Sequence, residues 1–314
     1  MYHNLIKTPL PVKTWTSIDA KEFYWQMKYL ASNYNVLPLP DILLSSKLNL
    51  QKNINNLVAI TFDDGLKSVT QIAEPILEEF NLKAICFVNP GLLTEEDRIW
   101  TDSLYEMVLG SSLQRLDPPN LGLNAIELND IQRNRINALN QIKNRLKSVS
   151  NEERVHFLSV LSQKVKYDKS KKRKEFDLMS KSEIINMHKR GRISIAPHTF
   201  THPILARLSK VDQELEITRS IQELKSWGVS DINIFAYPNG SENDFNEITI
   251  SLLKENNIHY ALTTIEGFYE KGKHDNYFIP RVPIGADTNR EEFKALLSGL
   301  IFYVKNEIEN RGEC

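Results

Sequence analysis

Short apolar runs alternate along the chain with longer stretches in which apolar residues recur every three or four positions. Leu57 to Thr61, Ala84 to Val88, Ile193 to Ala196, Ile232 to Tyr237 and His259 to Thr263 are brief, rich in Ile, Val, Ala and aromatic residues, and bounded by polar residues, Gly or Pro. Runs of this kind predict strands buried on both faces. Asp19 to Tyr34, Val69 to Phe80, Lys181 to Lys189, Val211 to Trp227 and Phe245 to Glu255 carry Ile, Leu, Phe or Trp at helical spacing, which predicts helices with one buried face. Strand and helix taking turns is the pattern of a parallel sheet wrapped by helices, an α/β fold. From about Leu92 to Asp177 the rhythm breaks into helical periodicity and polar runs without a clear strand, and this region reads as a helical insertion.

Composition narrows the picture only a little. A chain of 314 residues with 41% hydrophobic content can bury one large core or two modest ones. Lys plus Arg number 39 against 40 for Asp plus Glu, a formal net charge of -1, so nothing global points to nucleic acid as a partner. Two cysteines, Cys86 and Cys314, are too few for a disulfide framework. The first residues show no uninterrupted apolar signal segment, and no stretch approaches the roughly 18 apolar residues of a membrane span, so a cytoplasmic protein is expected. The basic run Lys169 to Lys174 is a candidate for peripheral contact with an anionic membrane or a diphosphate, a solvated loop being the plainer reading.

Chemistry concentrates where predicted strands end. Thr61-Phe62-Asp63-Asp64-Gly65 runs an apolar strand into two adjacent carboxylates and a glycine that permits a sharp turn. Neighbouring side chains on a strand diverge, so a bend at Gly65 lets one Asp face a metal while the other reaches the water beside it. Capping or turn formation is the ordinary use of such a pair. After the strand ending near Ala196 comes His198-Thr199-Phe200-Thr201-His202-Pro203. Residues four apart share one face of a helical turn, which brings both imidazoles within reach of one ion. Two histidines and a carboxylate are a three-ligand set that leaves a position open for water, whereas structural zinc usually takes four protein ligands.

On these residues the sequence resembles the polysaccharide deacetylase family, the NodB-homology domain of carbohydrate esterase family 4. The likeness extends to Phe235-Ala236-Tyr237-Pro238-Asn239-Gly240 and Ile279-Pro280-Arg281-Val282-Pro283-Ile284, and so over nearly the whole chain as one domain carrying the insertion at about 92–177. The resemblance implies a distorted (β/α) barrel, usually of seven strands, with the site at the carboxyl ends of the strands. It implies Asp63 as general base, Asp64, His198 and His202 as ligands of a divalent metal, and the backbone N–H of Asn239 as an oxyanion donor. Zinc is the first expectation for the ion, with cobalt, nickel or manganese as alternatives. The implied reaction is hydrolysis of an acetamide on a sugar. With no export signal seen, a nucleotide sugar or lipid-linked saccharide of surface-polysaccharide assembly is the expected substrate. A formamide hydrolase and an inactive carbohydrate binder are the rival readings.

Two departures from the family stand out. Its third motif usually begins with an arginine that orients the catalytic aspartate, and Ala236 stands there. Arg281, a lone charge in an apolar run, is expected to supply that charge from the next strand by pairing with Asp63. The family's late histidine, a general acid in many members, has no clear counterpart. The acid is left unassigned: His3 is a candidate, because related sequences often begin with a Tyr-His pair, and it is grouped with the substrate-binding residues, while His274 reads as a loop residue. Phe200, Tyr237 and Trp100 are candidates to line a sugar cleft, with core packing as the alternative for each.

Overall fold

The computed structural model describes residues 1–44, 56–94, 97–118, 121–165 and 172–299. Strand β1 (Asn4–Ile6) pairs in parallel with β2 (Ser17–Asp19), and Asp19 caps α1 (Ala20–Asn33) by accepting from the Lys21 N–H. Strand β3 (Asn35–Val36) leads to α2 (Leu39–Leu44) and pairs with β4 (Leu57–Val58). Strand β5 (Ile60–Phe62) is followed by a π-type turn at Val69–Ala73, α3 (Glu74–Glu79) and β6 (Ala84–Val88). Next come α4 (Trp100–Gly110), the strands β7 (Arg115–Leu116) and β8 (Ile126–Glu127), α5 (Ile136–Leu146), α6 (Asn151–Lys164) and α7 (Lys181–Arg190). The chain continues through β9 (Ile193–Pro197), α8 (Lys210–Ser226), β10 (Ile234–Ala236), α9 (Glu247–Glu255), β11 (Tyr260–Glu266), β12 (Ile279–Arg281) and α10 (Arg290–Leu297).

Parallel pairing runs β5–β6–β9 on one side and β10–β11–β12 on the other. The start of the chain joins the two. The Met1 nitrogen donates to the Val282 carbonyl at 2.9 Å, and the Tyr2 N–H donates to the Thr61 carbonyl at 2.8 Å. On the far side β9 and β10 are neighbours, yet among the described residues no ladder joins them; His198 Nδ1 crosses instead to the Ala236 carbonyl at 2.7 Å. The wall is a distorted (β/α) barrel with a seam between β9 and β10.

Alternation along the strands divides the core. In β6, Ile85 and Phe87 pack inward with Ala196, Ile234, Ala236, Leu262 and Ile279, and Leu39 and Leu43 of α2 join the same cluster. Ala84, Cys86 and Val88 pack in the other cluster, among residues of the surrounding helices. Burial on both faces is why these strands read as unbroken apolar runs. Helix starts are as explicit: Ser180 with Glu183, and Asn246 with Thr249, form reciprocal caps for α7 and α9.

The segment between β6 and α7 has its own apolar cluster, including Trp100, Leu104, Ile142, Leu146, Phe157 and Leu161. It also contains the antiparallel pair β7–β8, a strand pair the apolar pattern does not announce because each strand is two residues long. Arg135 ties it together, donating to the carbonyls of Leu128, Val108, Leu109, Ser111 and Leu113. Contacts to the barrel include the Tyr105 hydroxyl donating to the Val12 carbonyl and the Lys67 N–H donating to the Asp177 carbonyl at 2.7 Å. No described helix is long and apolar enough to cross a membrane. Of the basic run, residues 169–171 lie outside the described residues.

Candidate active site

Both aspartates stand where β5 ends, and the backbone separates them. Asp63 stays in the wall, its N–H donating to the Tyr2 carbonyl at 3.0 Å. Asp64 and Gly65 then adopt left-handed backbone, φ 73° and 70°. At Gly65 a Cβ would lie 3.1 Å from Val88 Cγ1, so space as well as φ favours glycine. The turn sends the Asp64 carboxylate toward the histidines.

His198 and His202 converge without the helical turn expected from their spacing. The loop after β9 instead uses left-handed backbone at Thr199, φ 66°, and His202, φ 61°. A β-branched residue there is strained, and the surroundings hold it. Thr199 Oγ1 accepts from the His202 N–H at 3.0 Å. Glu216 of α8 accepts from the N–H groups of Phe200 and Thr201, at 2.8 and 2.7 Å, and from the Thr201 hydroxyl at 2.6 Å. Asn89, just past β6, donates to the carbonyls of His198 and Thr199.

The Ala236 carbonyl can only accept, so His198 Nδ1 donates to it and Nε2 is the ring nitrogen turned toward Asp64. That Nε2 lies 3.5 Å from Asp64 Oδ1, and His202 Nε2 lies 3.1 Å from the same oxygen. Ligand atoms of all three side chains fall within 4.8 Å of one another. Burial lowers the His202 pKa against the pull of Asp64, which keeps the imidazole neutral. Burial would raise Asp64, but hydrogen bonds with His198 and His202 outweigh it and hold the carboxyl well below its usual range. Two buried imidazoles and a carboxylate, focused on one point, fit a divalent cation.

Beside this cluster Arg281 grips Asp63. Nη1 donates to Oδ1 at 2.8 Å and Nη2 to Oδ2 at 2.7 Å, while Nε donates to the Thr263 carbonyl at 2.7 Å. Asp63 is 1% exposed and Arg281 6%. Burial pushes the Asp63 pKa up, but the Arg281 charge, with His198 behind it, brings the net value below the usual carboxylate range. Asp63 is therefore ionised at neutral pH, with both oxygens fixed in direction. Ala236 offers no side chain for this purpose, and its carbonyl orients His198 instead.

Asn239 has left-handed backbone, φ 61°, and its N–H makes no hydrogen bond among the described residues. Gly240 next to it passes so close to β11 that a Cβ would lie 2.8 Å from the Thr264 nitrogen. His3 lies close enough to both aspartates to feel their charge: burial lowers its pKa while Asp64 and Asp63 oppose, and its Nδ1 is buried without a partner.

The aromatic expectations need correction. Tyr237 is 0% exposed, stacked on Phe245 at 3.9 Å with its hydroxyl donating to the Tyr277 carbonyl, so it belongs to the core and not to a sugar cleft. Phe200 is half-buried beside Gly91, with the Arg219 guanidinium 4.0 Å from the ring centroid. Trp100 is buried under Arg154. His274 stays within its loop, accepting from the Glu270 N–H. Sequence reading missed Asn89, Glu216 and Arg154. Asn89 carried a signal, being a polar residue at the carboxyl end of a barrel strand. Glu216 and Arg154 are charged positions on helices, like many others.

The sequence model for polysaccharide deacetylase matches residues 51–116 and 129–261, more than half of the chain. No curated protein matches it. Among solved structures, the chain is similar to the deacetylase PplD of Streptococcus pyogenes in complex with acetate, with TM-score 0.60 and 17% identity over 95% of this chain and 96% of that one. IcaB of Ammonifex degensii gives TM-score 0.57 and 15% identity over 95% and 94%. A polysaccharide deacetylase of Bacillus cereus gives 0.56 and 19% over 94% and 67%. Those identities speak for the fold, and the family match for the class of chemistry: this chain belongs to the polysaccharide deacetylase family and is a hydrolase of the deacetylase type.

Proposed function

We propose that the chain is a metal-dependent sugar N-deacetylase in which Asp64, His198 and His202 hold the ion and Asp63 is the base. The observation that carries this reading is the contrast within one site: three side chains converge as a ligand set, while the adjacent carboxylate is turned aside and held by Arg281. A divalent ion, zinc by preference for this donor set, supplies Lewis acidity toward the acetamide carbonyl and raises the acidity of water. Asp63, ionised and fixed, accepts the proton of the attacking water. The Asn239 N–H donates to the oxygen on which negative charge develops. His3 is assigned the proton that goes to the departing amine. Acetate and an amino sugar leave, and no covalent enzyme intermediate is needed. The reading takes residues 92–177 as an insertion within one deacetylase domain, and a nucleotide- or lipid-linked saccharide as the form of the substrate.

Purified protein incubated with N-acetylated and N-formylated sugars should release acetate in preference to formate, and chelation should abolish this reversibly. His198→Ala and His202→Ala should lose both activity and metal. Full occupancy of both variants by elemental analysis would show the ligand set to be wrong.

A further inference from the structure

Trp15, in the turn between β1 and β2, is 44% exposed, yet its ring is held in place. A Cβ on Gly285 would lie 2.0 Å from Trp15 Nε1 and 2.4 Å from Cδ1, so the indole lies where only glycine leaves room. Gly285 is not in left-handed backbone, which makes space for the ring the reason for glycine there. The Ala286 N–H donates to the Trp15 carbonyl at 2.8 Å, and Lys13 pairs with Asp287 at 2.6 Å across the same two loops. Exposure of one apolar side chain needs no explanation in itself. Its place gives it meaning.

Tyr2 pairs in parallel with Phe62, its N–H donating to the Thr61 carbonyl at 2.8 Å and its carbonyl accepting from the Asp63 N–H at 3.0 Å. The rings of Tyr2 and Phe62 lie 5.7 Å apart in the helix-side core. That register sets His3 opposite Asp63, with both side chains on the other face of the pair. The Trp15 ring then meets His3 edge-on, the centroids 5.8 Å apart and the planes at 69°. Asp63 is 1% exposed and His3 half-buried, so Asp63, His3 and Trp15 form a row of neighbours that runs from the buried base to open solvent. With the acetamide at the buried end, the indole stands beyond His3 from it. It offers a broad apolar face and an Nε1–H that makes no hydrogen bond among the described residues, a match for the C–H face and the hydroxyl oxygens of a sugar.

We propose that Trp15 is a stacking platform for the sugar unit next to the acetylated one, so that the substrate is a saccharide of two or more sugars. The platform rests on the deacetylase reading for the identity of the reacting group. Contact with a unit remote from the acetamide supplies binding energy that seats the reacting unit over Asp63.

Calorimetric titration of chelator-treated protein, in which no turnover occurs, tests the platform. The probes are N-acetylglucosamine and its 1,3-, 1,4- and 1,6-linked trimers. At least one trimer should bind about 10-fold tighter than the monosaccharide, the scale of one aromatic ring contact. Trp15→Ala should erase the preference, Gly285→Ala should do the same by displacing the ring, and Trp15→Phe should keep part of it. In the metal-loaded enzyme the preference should reside in KM. A ring that only packs His3 would instead change kcat for all four sugars alike and leave the trimer preference intact, and that result in folded Trp15→Ala would overturn the platform. Equal affinity of wild-type protein for all four sugars would overturn it too. Acetate release with no length preference removes the platform and leaves the deacetylase reading. Trp15-dependent trimer binding with no acetate release from any sugar does the reverse.

Discussion

Arg281 at the barrel mouth and Arg154 in the segment between β6 and α7 are both more than nine-tenths buried, but their surroundings differ in kind. Arg281 has its fork taken up by Asp63 and its Nε by the Thr263 carbonyl. Arg154 has one neutral acceptor, an aromatic face and a buried donor with nothing opposite. Burial has drawn its pKa down to about 10, against the charge of Glu216. A third arginine, Arg135, spends its donors on backbone carbonyls and serves the local fold. A buried cation whose donors the chain itself takes up orients or braces, whereas one left with an unpaired donor carries a cost that no contact offsets.

The contrast can be broken in three places. The largest effect is expected at the partner of Arg281. Asp63→Asn should lower kcat by roughly 10²–10⁴ with metal content unchanged by elemental analysis, the range for a positioned base. Loss of metal instead would exchange the roles of Asp63 and Asp64.

Arg281→Met comes next. It leaves Asp63 buried without its partner, so denaturant unfolding should show a loss of about 3–5 kcal/mol. The pair depresses the folded pKa of Asp63, so its stabilisation is present above the ordinary carboxylate pKa and is lost as pH falls through the folded value. Without Arg281, burial raises that pKa. The base is then protonated at higher pH, and the acidic limb of the pH–rate profile should move upward. An unchanged limb with normal kcat would make the pair purely structural.

The smallest effect is expected for the stability of Arg154→Met. Removing an unpaired buried charge in exchange for an apolar side chain should change unfolding free energy by less than about 1 kcal/mol, or increase it. A loss as large as that of Arg281→Met would place Arg154 with Arg135 as a brace.

These differences were unevenly legible in the sequence. β6 and β9 stood out because burial on both faces leaves an unbroken apolar run, and Arg281 stood out as one charge within such a run. The three residues that converge, Asp64, His198 and His202, were singled out in the sequence, but their geometry was not legible there. A spacing of four suggests a helical turn, whereas the loop relies on left-handed Thr199, a residue type with no preference for that conformation. Tyr237 was misread through its place beside Pro238 and Asn239. Strand alternation puts Ala236 inside the barrel with Ile234, and Phe235 and Tyr237 on the helix side. Arg154 had no signal, because Asn151-Glu152-Glu153-Arg154 reads as an ordinary charged helix start and only packing against Trp100 makes it unusual.

The seam between β9 and β10 gives His198 a second duty. One ring nitrogen faces Asp64 while the other fastens the two halves of the wall through the Ala236 carbonyl. If Nε2 holds a cation as proposed, the ion would polarise the imidazole and strengthen the Nδ1–H donor, so that filling the centre would also tighten the hoop around it. The frame and its cargo would then share one latch: emptying the centre would loosen the frame, and a loosened frame would release its cargo more readily.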